Sequence, residues 1–156
     1  MTNNDIIRRL RYVFDFNNGQ MVKLFASTGT KVNQEQISVW LKKDDDPKYK
    51  SMPDVMLATF LNGVINDKRG KREGPQPKPE NELTNNLILR KLKIALNMTS
   101  DDMLAVLALA DFRLSPHELS AFFRKTEHKH YRICKDQVLR NFLYGLQLKY
   151  RPQAAT

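Results

Sequence analysis

Several features that stabilise or localise proteins are missing from this sequence. Cys134 is its single cysteine, so no internal disulfide can form. No apolar run approaches the roughly 18 residues of a membrane-spanning helix. Residues 1–5 have neither the basic start nor the apolar stretch of a signal peptide. From these absences we expect a cytoplasmic protein with no membrane partner.

The motifs of the common enzyme classes are also absent. The sequence has no glycine-rich phosphate loop, no nucleophile elbow and no dinucleotide-binding fingerprint. Its carboxylates form no obvious acid/base pair. Asp54 and Asp136 recur at equivalent positions, but an acid at the start of a helix has a sufficient structural reason. We therefore expect a non-catalytic protein, with no catalytic residue, no metal site, no cofactor and no small-molecule substrate.

Charge of one sign is in excess. Lysine and arginine number 26 against 17 acidic residues, a formal net charge of +9. This balance favours an anionic partner such as RNA or DNA, although a basic composition also serves solubility alone.

The chain contains an internal repeat with a shift of 82 positions. Residues 55–63 (VMLATFLNG) return as 137–145 (QVLRNFLYG), and the match runs without a gap from Asn4 with Asn86 to Arg69 with Arg151. About fifteen of these 66 pairs are identical. Most identical pairs are apolar, which indicates two copies of one core.

Helix signals recur at equivalent positions of the two copies. Asn33 and Gln36 have the spacing of a capping box, and so do Ser115 and Glu118. The sequence predicts an all-α fold of about eight helices in two pseudo-symmetric four-helix repeats. The predicted bounds are 1–70 for the first repeat, 71–84 for a proline-rich linker, 85–151 for the second repeat and 152–156 for a frayed tail.

Two glycines interrupt helical patterns at matched positions. Glycine inside a helix costs about 1 kcal/mol relative to alanine, so Gly63 and Gly145 indicate a close backbone approach. We assign this approach to the fourth helix of one repeat against the fourth helix of the other. A glycine retained without a packing role is the alternative.

Basic residues cluster at the ends of the fourth helices, on the first helices and in the loop before the last helix. A phosphate-binding surface forms if these sets converge. The predicted nucleic-acid-binding residues are Arg8, Arg11, Lys68, Arg69, Lys71, Arg72, Arg90, Lys93, Lys129 and Arg132. Solvated helix ends, where cations suit the helix dipole, are the alternative interpretation.

Three other site hypotheses are weaker. The segment 21–43 has the helix lengths of a helix-turn-helix, but its turn is too long and Trp40 occupies a core position of the repeat. His128, His130 and Cys134 lie in one loop, yet structural zinc needs four ligands and the first repeat lacks these residues. Cys134 aligns with Met52, which favours a small buried side chain over a nucleophile.

Five strings together carry a family resemblance: 4–8 (NDIIR), 35–41 (EQISVWL), 60–63 (FLNG), 68–71 (KRGK) and 86–92 (NLILRKL). On these strings the chain resembles the bacterial YehS-like family, whose members carry two copies of a small domain of unknown function. The resemblance covers nearly the whole chain. It implies a bacterial, cytoplasmic, helical tandem-repeat protein, and it brings no catalytic residue, cofactor or substrate to these positions.

These observations lead to two functional hypotheses. The first is a basic helical module that binds or associates with nucleic acid, either RNA or DNA. The alternative is a helical protein–protein adaptor or a homodimerising scaffold, whose partner is another protein or a second copy of the chain. An enzyme that uses the His128–Cys134 loop is a third and weaker hypothesis.

Overall fold

The computed structural model describes residues 1–152, and these form eight α-helices and no strand. The predicted all-α fold with two four-helix repeats is confirmed. The helices are α1 (Asn3–Phe14), α2 (Asn18–Ser27), α3 (Gln34–Leu41), α4 (Asp54–Arg69), α5 (Asn85–Ala95), α6 (Ser100–Leu109), α7 (Pro116–Ala121) and α8 (Asp136–Tyr150). Apart from Pro152, the predicted tail lies outside the described residues. Within the described part of the chain, no helix has both the length and the apolarity needed to cross a membrane.

The chain divides into two compact units, unit 1 (Met1–Leu83) and unit 2 (Thr84–Thr156). In unit 1, both α1 and α2 pack against α3 and α4. Phe25 lies at the centre of this core, with its ring centroid 5.7 Å from that of Phe60 and 5.9 Å from that of Trp40. Unit 2 repeats the plan, with α6 against α7 and α8 and with α5 against α8.

The helix starts follow the local signals in the sequence. The predicted capping boxes at Asn33 and at Ser115 are both formed. Helix α1 begins earlier than its apolar pattern indicates, because Thr2 caps it and Asp5 completes the box. Its counterpart Thr84 caps α5, but no box closes there because Leu87 stands where α1 has Asp5.

The close approach predicted for the two glycines is present, but the predicted partner helix was wrong. A Cβ atom on Gly63 would lie 2.8 Å from the carbonyl carbon of Leu24, in α2 of the same unit. A Cβ atom on Gly145 would lie 2.9 Å from the carbonyl carbon of Val106, in α6. Each glycine therefore lets the fourth helix of its unit touch the backbone of the second.

The proline-rich segment that was predicted as a linker contains no helix. Its Gln76 accepts a hydrogen bond from the Asn66 side chain at 3.0 Å, and the backbone N–H of Leu83 donates to Asp54 at 2.9 Å. The segment 71–83 is thereby held within unit 1, and the boundary between the units falls between Leu83 and Thr84.

A buried asparagine in the first helix of each unit ties down a distant loop. Asn4 donates to the carbonyls of Trp40 and Lys50 at 2.9 and 2.8 Å and accepts from the N–H of Met52 at 2.9 Å. Asn86 repeats all three bonds with Phe122, Arg132 and Cys134. Because three backbone groups depend on one side chain, the asparagine fixes the path of the loop between the third and fourth helices.

Candidate nucleic-acid interface

The loop between α7 and α8 is closed on itself at its base. The N–H of Arg132 donates to the carbonyl of Ala121 at 3.2 Å, and Asn86 bonds to the carbonyls at both ends. Residues 122–131 therefore form a loop whose two ends are held together. Unit 1 has the same closure, since Lys50 donates to the carbonyl of Val39 at 3.3 Å.

Two cations of α5 reach the start of this loop. The Arg90 guanidinium donates to the Phe123 carbonyl at 2.6 Å, beside the backbone of Arg124. One turn further along α5, the Lys93 ammonium lies 5.7 Å from the centroid of the Phe123 ring. The helix and the loop thus bring Arg90, Lys93 and Arg124 to one end of unit 2.

A cleft of about 340 Å³ opens between the start of α5 and this loop. We call it the basic cleft. Its rim and walls include Arg90, Arg124, Lys125, Thr126, Glu127 and Tyr131. Among the described residues, no carboxylate forms an ion pair with any of its three cations. Unpaired cations in a concave site favour the binding of an anion.

The matching positions of unit 1 carry more negative charge. Asp5 and Asp44 of unit 1 stand where unit 2 has Leu87 and Thr126. Asp5 forms an ion pair with Arg8, the counterpart of Arg90, and the Lys42 carbonyl accepts a second bond from Arg8 at 2.8 Å. Both arginines donate to a carbonyl of the loop, but only Arg8 also pairs with a carboxylate, so we assign Arg8 a structural role and keep Arg90 as a candidate.

The excess positive charge lies mostly in unit 2. Residues 84–156 contain 12 cations and 6 acids, whereas residues 1–83 contain 14 cations and 11 acids. The loops differ in the same direction: residues 124–135 have five cations and one acid, and residues 42–53 have four cations and three acids. Unit 2 is therefore the stronger candidate for an anionic partner.

The predicted basic residues of unit 1 occupy the surface near the ends of α1 and α4. The ammonium of Lys68 lies 5.0 Å from the ring centroid of Phe14 and 5.9 Å from that of Phe16, so it covers aromatic surface. The other predicted cations of this unit, apart from Arg8, are exposed: Arg11, Arg69, Lys71 and Arg72. They remain candidates for contacts with a ligand.

In unit 2 the predicted residues Lys129 and Arg132 are exposed in the loop. The Arg132 guanidinium folds back to the carbonyl of Tyr131 at 3.1 Å. Three residues of the basic cleft, Arg124, Lys125 and Tyr131, were not among the predicted nucleic-acid-binding residues. Their alignment with Lys42, Lys43 and Tyr49 was visible. The position of the loop beside Arg90, however, depends on long-range hydrogen bonds that the sequence does not reveal.

The structure gives the His128–Cys134 loop a structural explanation. His128 accepts a hydrogen bond from the N–H of His130 through Nδ1 at 3.0 Å, as Asp46 accepts from Lys48 in unit 1 at 2.8 Å. Cys134 is 1% exposed, like its counterpart Met52 at 2%, so the predicted buried side chain is confirmed. No cluster of three metal-ligating side chains occurs among residues 1–152.

Cys134 is expected to be unreactive in the folded protein. Burial, together with the nearby charge of Asp136, raises the pKa of its thiol to about 12, and the thiolate is the species that attacks a disulfide reagent. With Ellman's reagent at mildly alkaline pH, we expect no reaction in native buffer and one thiol per chain in concentrated guanidinium. A full reaction of the native protein within seconds would contradict this assignment.

The core position predicted for Trp40 is confirmed. Trp40 is 8% exposed and packs against Phe25. A recognition helix presents side chains to a DNA groove, whereas the end of α3 directs its one large aromatic residue into the core. The helix-turn-helix interpretation is therefore not supported.

Two comparisons with known proteins agree with this architecture. The sequence model of a family described as protein of unknown function (DUF1456) matches residues 3–70 and again residues 85–151. The uncharacterized protein YehS of Escherichia coli strain K12 is 44% identical over 147 residues, which is 94% of this chain and 94% of that protein. No solved structure matches the chain. Because the family model matches both repeats and the relative matches nearly the whole length, this chain belongs to the family of YehS-like proteins of unknown function (DUF1456).

Proposed function

We propose that this protein binds nucleic acid, RNA or DNA, through the phosphate backbone. The observation that carries this proposal is the grouping of Arg90, Arg124 and Lys125 around the basic cleft, with no carboxylate paired to any of them in the described chain. Arginine and lysine bind phosphates through charge-assisted hydrogen bonds. The exposed cations Lys129 and Arg132 extend the positive surface along the same loop.

The charge difference between the units supports this proposal. A basic composition that served solubility alone would need no particular distribution along the chain. Here the acids Asp5, Asp44 and Asp46 of unit 1 are replaced at the loop and helix start of unit 2 by Leu87, Thr126 and His128. Unit 2 thus lacks three negative charges that unit 1 carries in the same segments, two of them at positions that line the basic cleft.

The test is a fluorescence-anisotropy titration with short labelled RNA and DNA at two salt concentrations. We expect a double variant, R124Q/K125Q, to bind at least about tenfold more weakly, because a hydrogen bond to a charged group contributes about 1.5–3 kcal/mol. The dependence of log K on log salt should also flatten, by roughly 0.7 for each phosphate of a single strand that the variant no longer neutralises.

The matched control is K42Q/K43Q, which removes two cations at the equivalent positions of unit 1. It has the same net charge as R124Q/K125Q but leaves the basic cleft unchanged, so we expect it to bind nearly as well as the wild type. An equal loss of affinity in both variants would show that net charge alone explains the effect, and it would overturn the assignment of binding to the basic cleft. A loss only on replacing Lys68, Arg69, Lys71 and Arg72 would move the site to unit 1.

A protein–protein adaptor is the second candidate function. Unit 2 exposes several large apolar side chains, among them Ile133 at 72%, Leu109 at 49% and Ile94 at 47%. Exposed apolar surface is typical of protein interaction sites when it forms a contiguous patch. If no nucleic acid binds even at low salt, the adaptor becomes the leading hypothesis.

A further inference from the structure

The dimensions of the basic cleft constrain its ligand. Its volume of about 340 Å³ is near the lower end of the roughly 300–1,000 Å³ found for small-molecule sites. A duplex presents its phosphates on a convex surface and keeps its bases stacked inside. A concave site of this size therefore suits a single nucleotide whose base is not stacked on neighbouring bases.

The cleft also contains an aromatic residue beside its cations. Tyr131 is half-buried and lines the cleft together with Arg124 and Lys125. Proteins that bind single strands combine a basic groove with aromatic side chains on which bases stack. The two kinds of group that recognise an unpaired nucleotide are thus present at one place.

The tyrosine at the equivalent position of unit 1, Tyr49, has a different environment. The Tyr49 hydroxyl donates to the Asn4 side chain at 3.2 Å, which anchors that tyrosine to the loop network. Among the described residues of unit 2, no hydrogen bond joins the Tyr131 hydroxyl to Asn86. In the described part of unit 2, the Tyr131 hydroxyl therefore lacks the anchor that holds Tyr49, and its half-buried side chain lines the cleft.

The remaining polar groups of the cleft suit a nucleotide. Thr84 and Thr126 bring hydroxyl groups, and Glu127 brings the one carboxylate of the cleft. The Glu127 carboxylate already accepts from the Thr126 hydroxyl at 3.0 Å and retains further acceptor capacity for a base amine or a sugar hydroxyl. Leu87 adds an apolar wall where unit 1 carries Asp5.

We propose that the basic cleft of unit 2 binds an unpaired nucleotide of a single-stranded nucleic acid, with the phosphate on Arg90, Arg124 and Lys125 and the base stacked on Tyr131. This inference rests on the proposed function and specifies the form of the nucleic acid. It also assigns the interaction to unit 2, because unit 1 anchors its tyrosine and carries Asp5 and Asp44 at the equivalent positions.

The test compares a labelled single strand with the duplex of the same sequence, on the full-length protein. We expect the single strand to bind more tightly. The Y131L variant should lose roughly 5- to 150-fold in affinity for the single strand, the range expected for one base–aromatic stack, and Y131F should bind like the wild type. The control Y49L changes the equivalent tyrosine of unit 1 and should bind the strand with unchanged affinity once folding is verified by circular dichroism.

A second measurement does not depend on the folding of any variant. A strand that contains 4-thiouridine is photocrosslinked to the wild-type protein, and the adduct is located by mass spectrometry. We expect it on the peptide that contains Tyr131. Equal affinity for strand and duplex, together with an unchanged affinity of the Y131L variant, would overturn the unpaired-nucleotide inference. Salt-sensitive binding of both forms would in that case still support the proposed function. Absence of binding to both forms would overturn the two together.

Discussion

Replacing Asn4 by alanine is expected to destabilise unit 1 by about 3–5 kcal/mol. The substitution leaves the carbonyls of Trp40 and Lys50 and the N–H of Met52 without their partner, and Asn4 itself is 1% exposed. Each buried polar group left unsatisfied costs about 1–3 kcal/mol. Typical domains have only about 5–15 kcal/mol of stability, so this loss is a large fraction of the total.

The measurement is urea denaturation followed by the fluorescence of Trp40, the single tryptophan of the chain, which reports on unit 1. Asn81 is exposed and serves as the control position, where alanine should change the free energy of unfolding by no more than about 0.5 kcal/mol. An Asn4→Asp variant keeps the acceptor for Met52 but loses both donors, and it should also be destabilised. An Asn4→Ala protein that unfolds at the wild-type urea concentration would show that the network contributes little.

Replacing Gly63 by alanine is expected to lower stability by about 1–3 kcal/mol or more, although alanine is ordinarily the better helix former. The added Cβ atom would lie 2.8 Å from the Leu24 carbonyl carbon and closer still to its oxygen, so α4 must move away from α2. Overpacking of this kind costs more than the roughly 1 kcal/mol that the propensity change returns. The same urea titration measures the effect.

Gly19 offers a matched control, since it also lies in a helix of unit 1. A Cβ atom there would meet only side-chain atoms, at 3.3 Å from Asn17 and 4.0 Å from Gln34. We expect Gly19→Ala to retain the wild-type stability or to exceed it slightly. If Gly63→Ala were stabilised to the same degree as Gly19→Ala, the tight crossing of α2 and α4 would not be a constraint in solution.

The features that sequence reasoning predicted correctly are local. Apolar spacing, capping boxes and the 82-residue shift depend on residues near each other in the chain, and they led to the correct number of helices and the correct repeat. The glycines illustrate the limit: a helical glycine signals a close approach, but nothing nearby says which helix approaches. Leu24 and Val106 are 39 residues away from Gly63 and Gly145 in each case.

The candidate site shows the same limit more strongly. Lys129 and Arg132 were predicted from charge, whereas the cleft residues Arg124, Lys125 and Tyr131 were not among the predicted residues. Their position beside Arg90 depends on Asn86, whose bonds span 36 to 48 residues. Such an asparagine resembles an ordinary helix-start residue in the sequence. The signal available in the sequence was that Asn4 recurs as Asn86, because a buried hydrogen-bond network requires an asparagine at the same position of both repeats.

The closed loop of unit 2 also leads to an expectation about the kinetics of the proposed nucleic-acid binding. Because Ala121, Arg132 and Asn86 fix both ends of the loop, its backbone is ordered before any ligand arrives. Binding then costs little conformational entropy beyond the freezing of a few side chains. A preorganised site of this kind binds in a single step without a folding event, so its association rate should be set by diffusion and charge, and its discrimination among ligands by dissociation.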